Sequence, residues 1–184
     1  MKKILLLFFL ISTFAYCDQW FDSIDSKNIE LTKLLLKNGA DINAKNENGD
    51  TALALAIKNN LYATAVFLIK NGANLENNYI ENNYLTIALE NRNFEIAELL
   101  IDNGIKIIYY NNFDENEVEN NSPLSIILDK YYSDDTDISL KQSFLSLLKK
   151  ILNLGINNSS YIYTNIILNR IIYCHDKDTL TLLI

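Results

Sequence analysis

Apolar residues recur along this chain at helical spacing, in short blocks separated by polar turns. Leu31, Leu34 and Leu35 fall at i, i+3 and i+4, which places them on one face of a helix. Trp20, Phe21 and Ile24 form a similar stripe on a shorter helix before it. Leu53, Leu55, Ala56 and Ile57 mark the buried side of the next helix, and Ala65, Phe67, Leu68 and Ile69 that of its successor. Tyr84-Leu85-Thr86-Ile87-Ala88-Leu89 and Phe94-Glu95-Ile96-Ala97-Glu98-Leu99-Leu100-Ile101 predict a further pair. Beyond them, Leu145, Leu148 and Leu152 line one face of a helix predicted over Lys141–Leu154. Ile166, Ile167 and Leu168, and then Thr179–Ile184, suit a last pair.

The blocks repeat at a fixed interval. Gly39 and Gly72 are 33 residues apart, and Gly72 and Gly104 are 32 apart, a period that marks a stacked array of supersecondary units. Gly39 is placed to end a helix, because glycine enters the left-handed region without a Cβ penalty. Ala40-Asp41-Ile42-Asn43 then leaves the helix for an extended hairpin arm, with Asn48-Gly49 as its tight turn. Thr51 stands where the next helix needs an N-cap oxygen. Asn59-Asn60 occupies the turn between the two helices of that unit. The chain holds 26 asparagines against five glycines and one proline. Asparagine is therefore expected to replace glycine in part at left-handed turns.

Read together over Ile29–Asn74, these residues resemble the ankyrin repeat. The apolar Leu34-Leu35-Leu36, the turn glycine Gly39, Ala40-Asp41-Ile42-Asn43 and then Gly49-Asp50-Thr51-Ala52-Leu53-Ala54-Leu55-Ala56 follow one another in the family's order. Ala52 replaces the family's usual proline and Ala54 its usual histidine, and Ser122-Pro123-Leu124 resembles the same helix start. The resemblance implies an all-α repeat solenoid, in which helix pairs with hairpin arms stack into one continuous core. Four to five repeats are expected, over residues 18–39, 40–72, 73–104, 105–155 and 156–184, the last ones degenerate. The fourth is stretched twice, once in its arm over Tyr109–Asn120 and once between its helices near Asp129–Gln142.

The resemblance also implies a function. Ankyrin repeats mostly mediate protein–protein contacts through hairpin tips and the exposed side of the first helix. Carried onto this chain, those positions are Glu47, Asn48, Asp50, Lys58 and Asn59 in the second repeat and Tyr79, Glu81, Glu90 and Asn91 in the third. The long arm adds Tyr109, Tyr110 and Phe113, aromatic anchors beside Asp114, Glu115, Glu117 and Glu119, a composition that suits a protein partner with a basic rim.

Charge narrows the choice of partner. With 16 basic and 23 acidic residues, a net charge of −7 lacks the basic footprint that nucleic acid or anionic lipid demands. A monomer is expected. Residues 1–15 read as a signal peptide: Lys2-Lys3, the apolar run Ile4–Ile11, and small residues at Thr13 and Ala15 before a cut. Residues 16–184 would then be the exported repeat domain, periplasmic or secreted. Cys17 offers a second outcome, lipidation and an envelope anchor, although Tyr16 fits a lipobox poorly. A secreted effector acting on a host protein is a third reading, implied by some family members.

No catalytic constellation emerges, and the chain is not expected to be an enzyme. Cys174-His175-Asp176 are sequence neighbours, which do not face one another on a helix. Two cysteines and a single histidine at scattered positions are too few for a zinc site. Asp134-Asp135-Thr136-Asp137 lacks the glycine and distal glutamate of a calcium loop. The glycines stand singly, so no phosphate-cradling loop appears, and no cofactor is expected.

Overall fold

Among the described residues helices form where the apolar blocks predict them, and the first six each give way to a residue of positive φ. The computed structural model describes residues 18–76, 83–105, 126–127, 129–130 and 138–155. It falls into two compact units, Met1–Leu75 and Glu76–Ile184. The stretched arm over Tyr109–Asn120 and the segment after Gly155 lie outside the described residues, as do Pro123, the Asp134–Asp137 run and the first 17 residues.

Among its described residues the first unit holds four helices: α1 over residues 18–25, α2 over Ile29–Lys37, α3 over Ala52–Lys58 and α4 over Tyr62–Lys70. Trp20, Phe21 and Ile24 of α1 are buried as expected. On α2 the expected face shifts. Leu35 is buried, but Leu34 is 53% exposed and Thr32 takes the interior position. Thr32 can do so because its hydroxyl donates to the Asn28 carbonyl at 3.0 Å and lies 3.0 Å from Ser23 Oγ, which in turn donates to the Trp20 carbonyl at 2.7 Å. A buried hydroxyl with partners avoids most of its desolvation cost. Leu53, Ala56 and Ile57 of α3 and Ala65 and Leu68 of α4 complete this core, with Leu55, Phe67 and Ile69 only partly covered.

The second unit contains α5 over Tyr84–Glu90, α6 over Phe94–Asp102 and α7 over Ile138–Gly155. Every residue from Asn83 to Leu89 is buried. The Asn83 side chain caps α5 by accepting the Leu85 N–H at 2.9 Å. On α6 the buried set is Ile96, Ala97, Leu100 and Ile101. The α7 helix starts earlier than Lys141 and buries Phe144, Leu147, Leu148 and Ile151, so its inner face sits to one side of the Leu145 position read from the sequence. It packs on α6 through an edge-to-face contact of Phe94 and Phe144, ring centroids 4.9 Å apart, and through Lys150 and Asp102 at 2.7 Å.

The ends of α1 to α6 follow one rule. After α2, the Gly39 N–H donates to the Leu36 carbonyl at 3.0 Å and the Ala40 N–H to the Leu35 carbonyl at 3.0 Å, the paired bonds of a Schellman turn. The same pair closes α4 at Gly72 and Ala73, and α6 at Gly104 and Ile105. It also closes the first helix of each pair, where no glycine stands: α1 at Lys27, α3 at Asn60 and α5 at Arg92. The backbone explains the division of labour. Lys27, Asn60 and Arg92 have φ of 56°, 55° and 58°, inside the small left-handed well that side chains tolerate. Gly39 and Gly72 have φ of 95° and 90°, beyond it. A Cβ on Gly72 would touch nothing, so the dihedral alone demands glycine there.

Asparagine therefore replaces glycine at fewer turns than its abundance suggests. Among the positive-φ positions of the described residues it stands only at Asn60. Its commoner station is one residue earlier, as the C-cap: Asn38, Asn59, Asn71, Asn91 and Asn103 follow α2 to α6.

These dihedrals set opposite mutational signs at the two kinds of turn. Arg92→Gly and Lys27→Gly are expected to stabilise the chain by about 0.5–1 kcal/mol each, since left-handed residues with side chains are strained. Gly72→Ala should cost about 1 kcal/mol or more, for the converse reason. Urea unfolding of the three variants checks this; a destabilised Arg92→Gly would contradict the account.

Candidate functional site

The arm between α2 and α3 is built from asparagine and aspartate side chains turned back on their own backbone. Asp41 Oδ1 accepts the Asn43 N–H at 2.9 Å, opening the arm. At the tip, the turn runs from Asn46 to Gly49, closed by a 2.9 Å bond from the Gly49 N–H to the Asn46 carbonyl. Only Gly49, at φ 79°, is left-handed there. The tip is thus a type I turn followed by a left-handed glycine, rather than a two-residue Asn48-Gly49 turn, which would need positive φ at both residues. Asn46 Oδ1 accepts the N–H groups of Asn48 at 3.0 Å and Asp50 at 2.9 Å and so organises the whole tip. Lys45 and Thr51 pair across the base. Thr51 then caps α3, its Oγ1 accepting the Ala54 N–H at 3.1 Å.

Two further contacts tie the arm to the rest of its unit. Lys58 Nζ, at the end of α3, reaches both Asp50 carboxylate oxygens at 2.7 Å. Partly exposed, this ion pair contributes at most about 1 kcal/mol, but it fixes where the arm leaves the helix. Asn43 Oδ1 accepts the Asn74 N–H at 2.8 Å, joining the arm to its counterpart 31 residues on.

The residues expected to contact a partner now separate into two groups. Asp50, Lys58 and Asn59 are engaged inside the unit, Asn59 by a 3.4 Å bond from its Nδ2 to Asp25 Oδ1. Glu47 and Asn48 project from the tip, exposed and without side-chain hydrogen bonds. In the second unit, Glu90 is the exposed last residue of α5 and Asn91 its exposed C-cap. Tyr79, Glu81, Tyr109, Tyr110, Phe113 and Cys17 lie outside the described residues, as does Cys174-His175-Asp176. Among the described residues, no three of His, Cys, Asp and Glu stand close enough to hold a metal ion.

A family model for ankyrin repeats, in three copies, matches residues 21–111. The chain belongs to the ankyrin-repeat family, and its fold class is the all-α repeat solenoid. An ankyrin repeat protein of Acanthamoeba polyphaga mimivirus is 35% identical over 98 residues, a match that takes in 41% of this chain and 17% of that protein. One of Rickettsia bellii is 48% identical over 59 residues, covering 29% of this chain and 35% of that protein. The chain thus spans well under half the length of either relative. Ankyrin repeats generally serve protein–protein interaction, as scaffolds rather than enzymes.

Sequence reasoning missed Asn46 and Asn43 as organisers of this ankyrin arm, and Asp25 as the partner of Asn59. The signal for the first was present: an Asx residue two before an amide that must turn. Leu34, 53% exposed, also departs from the buried stripe expected of α2. Asn46→Ala should loosen the tip at a cost of about 1 kcal/mol, since two amides lose their acceptor to water. Faster amide hydrogen exchange at Asn48 and Asp50, with α3 unaffected, is the expected readout.

Proposed function

We propose that this chain is an exported ankyrin-repeat module that binds a protein partner through its hairpin arm and the exposed side of its first helices. The observation that carries the reading is the contrast at the arm between Ala40 and Asp50. Asn46, Asp50 and Lys58 hold the backbone in place, while Glu47 and Asn48 are left with no contact of their own. An ordered arm with free side chains at its tip meets a partner at low entropic cost. Ankyrin repeats generally act as scaffolds rather than enzymes, so binding without chemistry is the function proposed. The acidic balance of −7 favours a partner with a basic surface.

Site-directed cross-linking tests the surface. A photoreactive residue at position 48 should capture a discrete partner, whereas the same residue at Lys37, exposed at the end of α2, should not. Equal capture from both positions, or capture from Lys37 alone, would count against the arm.

Export rests on the sequence of residues 1–15, Lys2-Lys3 followed by the apolar run and Ala15. The mass and N-terminal sequence of the protein recovered from fractionated cells decide between its forms. A chain starting at Tyr16 in a soluble exported fraction is the expected result. An acylated Cys17 in membranes would make the module an anchored envelope scaffold instead, and an intact Met1 would end the export reading.

A further inference from the structure

Asparagine followed by glycine occurs four times among the described residues, at Asn38-Gly39, Asn48-Gly49, Asn71-Gly72 and Asn103-Gly104. The dipeptide is chemically labile, because glycine has no Cβ to shield its nitrogen from the preceding side chain. Identical in sequence, the four differ in what holds them. We propose that Asn48-Gly49 is a site of spontaneous modification, converting to aspartate and isoaspartate, while the other three pairs are protected by the turns that end their helices.

The step is balanced by water alone. The Gly49 backbone nitrogen attacks Asn48 Cγ, forming a C–N bond and a cyclic imide. The Cγ–Nδ2 bond breaks, and ammonia leaves with the proton that Gly49 N–H has given up. Water then opens the imide at either carbonyl. One product is aspartate and the other isoaspartate, in which the main chain runs through the former side chain.

Attack requires a free glycine nitrogen and an asparagine side chain able to swing onto it. At the three helix ends the glycine nitrogen is engaged, and at two of them the asparagine side chain is held as well. The N–H groups of Gly39, Gly72 and Gly104 donate to Leu36, Ile69 and Ile101 carbonyls at 3.0, 3.1 and 3.0 Å. The residues that follow Gly72 and Gly104, Ala73 and Ile105, are buried, so opening those turns uncovers apolar surface. Asn71 and Asn103 are further restrained, each Nδ2 donating to a carbonyl four residues back, Phe67 and Leu99, at 2.8 Å.

The tip offers much less resistance. Gly49 N–H is held by one 2.9 Å bond to the Asn46 carbonyl. Glu47, Asn48 and Gly49 are all exposed, and the Asn48 side chain makes no hydrogen bond. Releasing the glycine nitrogen there opens a single turn and exposes no core. Conversion would add a carboxylate beside Glu47, and the isoaspartate form would lengthen the backbone inside the turn that Asn46 organises. This inference concerns the arm's chemistry and stands whether or not the arm binds a partner.

The test is peptide mapping of the full chain by mass spectrometry after incubation at mildly alkaline pH, with fragmentation that separates aspartate from isoaspartate. In the folded protein the peptide containing Asn48 should convert about tenfold or more faster than the other three, the ratio given by a modest difference in local opening. In denaturant the four rates should draw together. Equal rates in the folded chain, or faster conversion at any helix end, would overturn the proposal. So would an Asn48 lead that persists undiminished in denaturant, because the fold would then not be its cause.

Discussion

The helix pairs of this protein depend on reversing the chain within a single residue at each helix end. A short helix leaves its last carbonyls without partners, and within each pair only three residues separate it from the next helix. The Schellman turn solves both problems: two backbone N–H groups fold back onto those carbonyls, and the chain exits in a new direction. Six described helices, α1 to α6, end this way. The turns impose two different dihedrals. Between the helices of a pair, φ lies at 55–58° and Lys27, Asn60 or Arg92 suffices. After the second helix, φ reaches 79–95° and glycine stands at each position.

That asymmetry accounts for what could be read in the residues alone. The interval between Gly39, Gly72 and Gly104 stood out because those backbone angles admit little else. The intervening turns left no such mark, since the left-handed well admits lysine, asparagine or arginine at a modest strain. Burial was legible where it followed simple hydrophobicity, as at Trp20, Ile24, Leu53 and Leu85. It failed on α2, where Leu34 looks as suitable for the core as Leu35. The deciding feature was the hydroxyl pairing of Thr32 with Ser23 and the Asn28 carbonyl, which no periodicity records. On α7, Phe144 drew the buried face to one side, because its ring meets Phe94 edge-on.

The arm shows the same limit from the functional side. Its position and its tip were legible, since Asn48-Gly49 and Thr51 punctuate the chain. Which tip residues are structural and which are free was not. Five positions that look equally polar divide once Lys58 is seen to hold Asp50 and Asn59 to reach Asp25. Glu47 and Asn48 remain available for contact, and Asn48 carries the chemical exposure that comes with that freedom. Short polar side chains thus hold the arm's backbone in place and leave two tip residues free.

The most direct test of the central claim is the backbone angle at the turns that lack glycine. Nuclear magnetic resonance reports the sign of φ through the strength of the cross-peak between a residue's own amide and α protons, strong when φ is positive. Strong intraresidue cross-peaks at Lys27, Asn60 and Arg92 are the predicted result. Weak ones, as in ordinary helical or extended residues, would mean that the first helices end in some other way, and the common turn proposed for the helix pairs would be wrong.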